Sequence, residues 1–112
     1  MNDEQTTVND LKVMVEDFIA ERRWKQFHTP KNLSMSIAIE AAELMEIFQW
    51  SAEDNLNREL YARVEEELAD VVIYSLTLAN TAGIDLSGAV RKKIKKNALK
   101  YPVAKYLGRY KE

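Results

Sequence analysis

A chain of 112 residues, 46% hydrophobic and 30% charged, has the size and balance of one soluble globular domain. Its formal net charge of -2 and sequence pI near 5.5 exclude the positive field with which a protein gathers nucleic acid polymers or an anionic membrane. The absence of cysteine excludes disulfide scaffolds, thiol nucleophiles and zinc–cysteine clusters, and a single histidine, His28, cannot build a histidine-rich metal site, so carboxylates are the ligand set that remains.

Punctuation is sparse, with three glycines and two prolines, and between them the apolar residues recur at three- and four-residue spacing, which predicts helices joined by short turns. Thr7 and Asp10 form a capping box at the head of a first helix that carries Leu11, Val15, Phe18 and Ile19 and runs to about Arg22. Trp24 to Asn32, with Pro30 inside it, reads as a loop. A second helix then runs from Asn32 or Ser34 to about Gln49. It is apolar around most of its circumference, so other helices must surround it.

After a polar connection rich in Asn and Asp, a third helix spans roughly Arg58 to Ala82 and stops at Gly83, the usual left-handed terminator. A fourth opens with Asp85 as N-cap and ends before Pro102. The tail beyond, with Tyr106, Leu107 and Tyr110, is weakly patterned and either docks on a neighbouring subunit or frays. No apolar leader follows Met1, and the longest uncharged run, Val71 to Ile84, is shorter than the ~20 residues of a spanning helix, so a cytoplasmic protein with no membrane partner is expected.

The chemistry lies in carboxylates. Glu40 and Glu43, three apart in the second helix, project side by side and flank Ile47; Glu67 and Asp70 repeat the spacing in the third. Asp70 marks where charge stops. If these helices pack antiparallel, four carboxylates converge, and like charges in a partly dehydrated site repel unless a cation neutralises them. Oxygen-only ligands select a hard ion such as magnesium, which keeps waters and shares its coordination with phosphates. Either pair alone is an ordinary solvated helix face. Two pairs that interrupt apolar helices, beside surface acids such as Glu46 and Glu66, leave a metal site and a solvated face as equal readings. A di-iron site would want Glu-x-x-His pairs, and neither helix has a histidine.

On the fourth helix Leu86, Val90 and Ile94 form an inward stripe with Lys93, Asn97 and Tyr101 on or beside it. Lys93 and Asn97 there either hold phosphate and sugar or pair with a glutamate and a neighbouring carbonyl. Trp24 and Trp50 each fall where a helix gives way to a loop; Trp50 lies about two turns, roughly 10 Å, beyond Glu43. Each indole is either a base platform or a core plug. Tyr74, one turn past Asp70, either supports a metal ligand or fills the bundle core.

These residues carry a resemblance. Glu40-Ala-Ala-Glu43 followed by Phe48-Gln49-Trp50, then Glu66-Glu67-Leu68-Ala69-Asp70-Val71, resembles the MazG-like superfamily of all-α nucleotide pyrophosphohydrolases. The likeness runs from the first helix to Tyr101-Pro102 and takes in Trp24, the stretch Phe27-His28-Thr29-Pro30-Lys31-Asn32-Leu33 and Lys96-Asn97. Within the superfamily the chain looks most like the small dCTP pyrophosphatases and stand-alone bacterial MazG-like proteins.

The resemblance implies a single four-helix bundle-type domain over residues 1–112, assembled as a homotetramer built as a dimer of dimers, with a dimer as the smaller alternative. It implies magnesium, with manganese able to substitute, held by Glu40, Glu43, Glu67 and Asp70, and cleavage of a dNTP such as dCTP to a monophosphate and pyrophosphate in nucleotide-pool house-cleaning. Trp24, His28, Trp50, Tyr74, Lys93, Asn97 and Tyr101 would contact the substrate. The chain departs from the animal dCTP enzymes at Val15, where those proteins place a base-contacting histidine, and in lacking their extended C-terminal tail. A dUTP or phosphoribosyl-ATP hydrolase would use the same metal residues. A non-catalytic helical oligomerisation module would leave its acids solvated.

Overall fold

The computed structural model describes residues 1–51 and 56–109, and every regular element among them is helical. Helix α1 covers Val8–Glu21, capped as expected: the Thr7 hydroxyl accepts from the Asp10 N–H while the Asp10 carboxylate accepts from the Thr7 N–H. It ends in a Schellman turn in which the Trp24 N–H reaches back to the Ile19 carbonyl. Arg23 supplies the left-handed residue of that turn at φ 53.

The expected loop from Trp24 to Asn32 is a correction. Lys25–Phe27 form a turn of 3-10 helix, and α2 begins at Pro30 and runs to Gln49, two to four residues earlier than the periodicity placed it. Thr29 is the N-cap, accepting from the Asn32 N–H, and Pro30 takes the first helical position, where a missing N–H has no cost.

Helix α3, Arg58–Ala82, is capped by Asn57 and stopped by Gly83 at φ 68, as the sequence predicted. Helix α4 is Leu86–Lys100, with Asp85 at the N-cap though without a side-chain cap bond, and Pro102 opens the short α5, Val103–Tyr106. No described helix is long and apolar enough to cross a membrane.

The main packing interface joins α2 to α3, and α1 lies along α3. Only eight residues, 50–57, join the end of α2 to the start of α3, the short connection characteristic of antiparallel neighbouring helices. The core is small: Ile19 from α1, Leu33 and Ile47 from α2, Leu76 and Ala79 from α3. Leu33 has no exposed surface at all. Thr77 is buried with them, its hydroxyl donating to the Ile73 carbonyl at 2.8 Å.

The fourth helix departs from expectation. It contributes no buried residue; of the expected inward stripe Leu86 is half-buried, while Val90 is 50% and Ile94 62% exposed. The apolar circumference of α2 is likewise uncovered at Met35, Ile39 and Met45.

Candidate metal centre

Glu40 lies nine residues before the end of α2 at Gln49, and Glu67 nine residues after the start of α3 at Arg58. In an antiparallel pair both stand at one height, about 14 Å from the turn. Ile47, buried one face-repeat beyond Glu40 and Glu43, fixes the rotation of α2 that aims these acids at α3. The uncharged run after Asp70 fixes α3 in the same way, because Leu76, Thr77 and Ala79 must be buried.

The result is convergence. One carboxylate oxygen from each of Glu40, Glu67 and Asp70 lies within 4.8 Å of the others, and all three residues are half-buried. Glu43, exposed at the solvent edge one turn from Glu40, adds its charge to the group.

Its acidity reflects this crowding. Burial, then the hydrogen bond and charge of Glu43, then the charges of Asp70 and Glu67, push the Glu40 carboxyl up from 4.5 to about 7. Glu67 is raised as well, by burial first and then by the charge and hydrogen bond of Glu43 and the charge of Asp70, with its bond to Glu40 pulling the other way.

Two oxygens stay unsatisfied: Oε2 of Glu40 and Oε2 of Glu67 are buried with no hydrogen-bond partner. Buried carboxylate oxygens are costly to leave unpaired. A hard cation ligated only by oxygen would satisfy both and relieve the mutual repulsion of the group, so these residues fit a divalent metal such as magnesium.

The remaining expected site residues lie on several elements, and none is among the residues that converge in the acid cluster. Tyr74 is half-buried on α3 one turn past Asp70. His28, half-buried just before α2, has Nδ1 buried and unpaired. Trp24 packs edge-on against Phe18, ring centres 5.7 Å apart, and remains 43% exposed. Trp50 caps α2 and is 89% exposed, so it is no core plug of this chain.

Lys93, Asn97 and Tyr101 lie on α4 and at its C-cap, outside the interface that builds the cluster. Lys93 is exposed, Asn97 half-buried, and Tyr101 packs edge-on against Tyr106 at 5.2 Å. Glu46 and Glu66 are exposed, as expected of surface charges. Periodicity did not reveal the polar tie between the chain ends of α1 and α3, where Lys12 Nζ donates to the Ile84 carbonyl at 2.7 Å and Asn80 donates to the Lys12 carbonyl at 3.0 Å. Such a tie depends on tertiary contact and leaves no local signal.

Residues 35–112 match the MazG-like family, a span that includes all four acids. The chain belongs to that family. It is 38% identical to mouse (Mus musculus) dCTP pyrophosphatase 1 and 37% identical to the human (Homo sapiens) protein of that name, in each case over 88% of this chain. The chain spans 61% of the length of these curated relatives. Among solved structures, a pyrophosphatase from Archaeoglobus fulgidus DSM 4304 superposes with a TM-score of 0.77 at 42% identity, covering 91% of this chain and 98% of that one. The all-helical MazG-like architecture expected from the sequence is therefore the one the chain has.

Proposed function

We propose that this chain is a magnesium-dependent nucleoside triphosphate pyrophosphohydrolase. It cleaves dCTP or a related dNTP between the α and β phosphates, releases a nucleoside monophosphate and pyrophosphate, and clears unwanted nucleotides from the cytoplasmic pool. The observation that carries this reading is the half-buried carboxylate cluster with two orphaned oxygens, in a chain similar to proteins named for pyrophosphatase activity.

Glu40, Glu67 and Asp70 hold the metal, with Glu43 closing the site from the solvent edge; manganese serves as a substitute. The bound cation supplies charge neutralisation for the triphosphate. One glutamate of the cluster orients the attacking water and accepts its proton, a task suited to a carboxyl whose acidity crowding has pushed toward neutrality. No serine or cysteine nucleophile is needed, because phosphoryl-type displacement asks chiefly for positioning and charge.

Trp50 offers a base platform about 10 Å along α2 from Glu43, a span a triphosphate bridges. Trp24 and His28 serve the base side, Tyr74 supports the ligands from one turn beyond Asp70, and Lys93, Asn97 and Tyr101 serve phosphate and sugar. The working unit is a homotetramer built as a dimer of dimers, a reading supported by Met35, Ile39 and Met45 standing uncovered on α2.

Pyrophosphate release by the purified protein, measured with magnesium across the canonical nucleoside triphosphates, tests the proposal with Glu43→Gln alongside. Release from dCTP or another dNTP, lost in Glu43→Gln, is the expected result. Release that persists in the variant, or none from any canonical triphosphate, contradicts it.

A further inference from the structure

Lys12 passes over the ordinary partner of a helical lysine. Glu16 stands one turn along α1, where an ion pair would form, yet Glu16 is held by Lys25 at 3.0 Å. The Lys12 ammonium reaches instead to the end of α3 and donates to the Ile84 carbonyl at 2.7 Å, 72 residues away. Its backbone is held there too, because the Asn80 side-chain amide donates to the Lys12 carbonyl at 3.0 Å. One residue of α1 is thus tied twice to one end of α3.

That end is the corner from which α4 leaves. Three residues, Gly83, Ile84 and Asp85, join the two helices. Gly83 holds φ 68, and the Ile84 N–H closes a Schellman turn on the Ala79 carbonyl at 2.8 Å. Both features fix the corner to α3. On the α4 side Asp85 takes the N-cap position without a side-chain cap bond. The last turn of α3 has no basic residue of its own, although a cation is favoured at a helix C-terminus. Lys12 brings one from another helix and sets it on the carbonyl between α3 and α4.

The corner is the root of a lever. No residue of α4 is fully buried, Leu86 being half-buried, so α4 and α5 leave the corner as an arm whose direction is set at its base. Asn97 lies eleven residues beyond Leu86, about 17 Å along the helix, so a tilt of about 5° at the corner carries it about 1.5 Å. Displacements of that size in groups that hold a substrate are costly to catalysis.

We propose that Lys12 is a positioning residue: through the Ile84 carbonyl it fixes the direction in which α4 leaves α3, and so places Lys93, Asn97 and Tyr101 for phosphate and sugar. The inference rests on the role given to those three residues under the proposed function. Lys12 itself touches neither the acid cluster nor the substrate.

Lys12→Met keeps the aliphatic stem and removes the donor. In pyrophosphate-release assays it is expected to raise KM for the triphosphate about tenfold while kcat stays within about threefold. Magnesium should still raise its melting temperature as in the wild type, because the acid cluster is untouched. Lys12→Arg, which restores a charged donor, is expected to recover most of the lost affinity. In a chain carrying Asn97→Ala, Lys12→Met should add little further loss, since both act through the same arm. If Lys12→Met loses helical circular dichroism, Asn80→Ala, which breaks the other half of the tie, carries the same comparison. A wild type that releases no pyrophosphate overturns the functional reading and this inference together. An active wild type whose KM is unmoved by Lys12→Met, or a loss of equal size in the Asn97→Ala chain, overturns this inference alone.

Discussion

The α2–α3 pair and the α4–α5 arm are built from similar material, amphipathic helix with many charges, and they end in opposite states. In the pair, buried Leu33, Ile47, Leu76 and Ala79 lock two helices together and force acids of one sign to face each other. In the arm, Val90 and Ile94 stand exposed and the charges are of the other sign. Packing energy in the first region is used to hold an arrangement that electrostatics alone would disperse. The second keeps its apolar surface available. A functional site in a small helical protein is therefore recognised less by its charges than by what prevents them from separating.

Truncation separates the two regions most strongly. Leu33→Ala removes a fully buried side chain and is expected to cost about 3 kcal/mol, within the range for buried leucines. Thermal melting should show that loss at every protein concentration. Ile94→Ala on the arm is expected to leave a lone chain's stability within about 0.5 kcal/mol.

A smaller effect separates substrate contact from framework. Trp50 is 89% exposed, so Trp50→Ala should leave the melting temperature unchanged while raising KM for the preferred triphosphate roughly tenfold, about 1.4 kcal/mol of lost stacking. An unchanged KM removes Trp50 from the base site. The smallest effect is at Arg23, which holds a left-handed φ of 53 that a side chain disfavours. Arg23→Gly is expected to stabilise the chain by up to about 1 kcal/mol in chemical denaturation, with the helical content of α1 intact.

Much of this was legible in the residues, for reasons that are local. Thr7 with Asp10 marks a helix end through a local capping box, Gly83 through its left-handed backbone, and Asp85 and Pro102 bracket the fourth helix; the structure places those ends where the sequence did. The spacing of Glu40, Glu43, Glu67 and Asp70 gave the faces, and antiparallel packing brought them together.

What was missed depends on longer range or on competition between signals. Pro30 reads as a breaker unless Thr29 is recognised as the cap that makes it a first helical residue. Three residues of 3-10 helix at Lys25–Phe27 are too few for any period to register. The stripe on α4 was seen, but periodicity reports only that a helix has an apolar face and never which chain covers it.

The central claim, that the acid cluster is a cation site, is tested most directly by thermal melting of metal-free protein across pH 5 to 8, with and without magnesium. Because the folded Glu40 carboxyl sits at about 7 and the unfolded one near 4.5, the folded state holds the extra proton between those values. Stability contributed by that proton is full below about 4.5 and is lost as pH rises toward and through 7. Without magnesium the melting temperature should therefore fall as pH climbs, and magnesium should raise it most at the high end, where the carboxylates are ionised and free to bind. A melting temperature indifferent to magnesium at every pH would contradict the account.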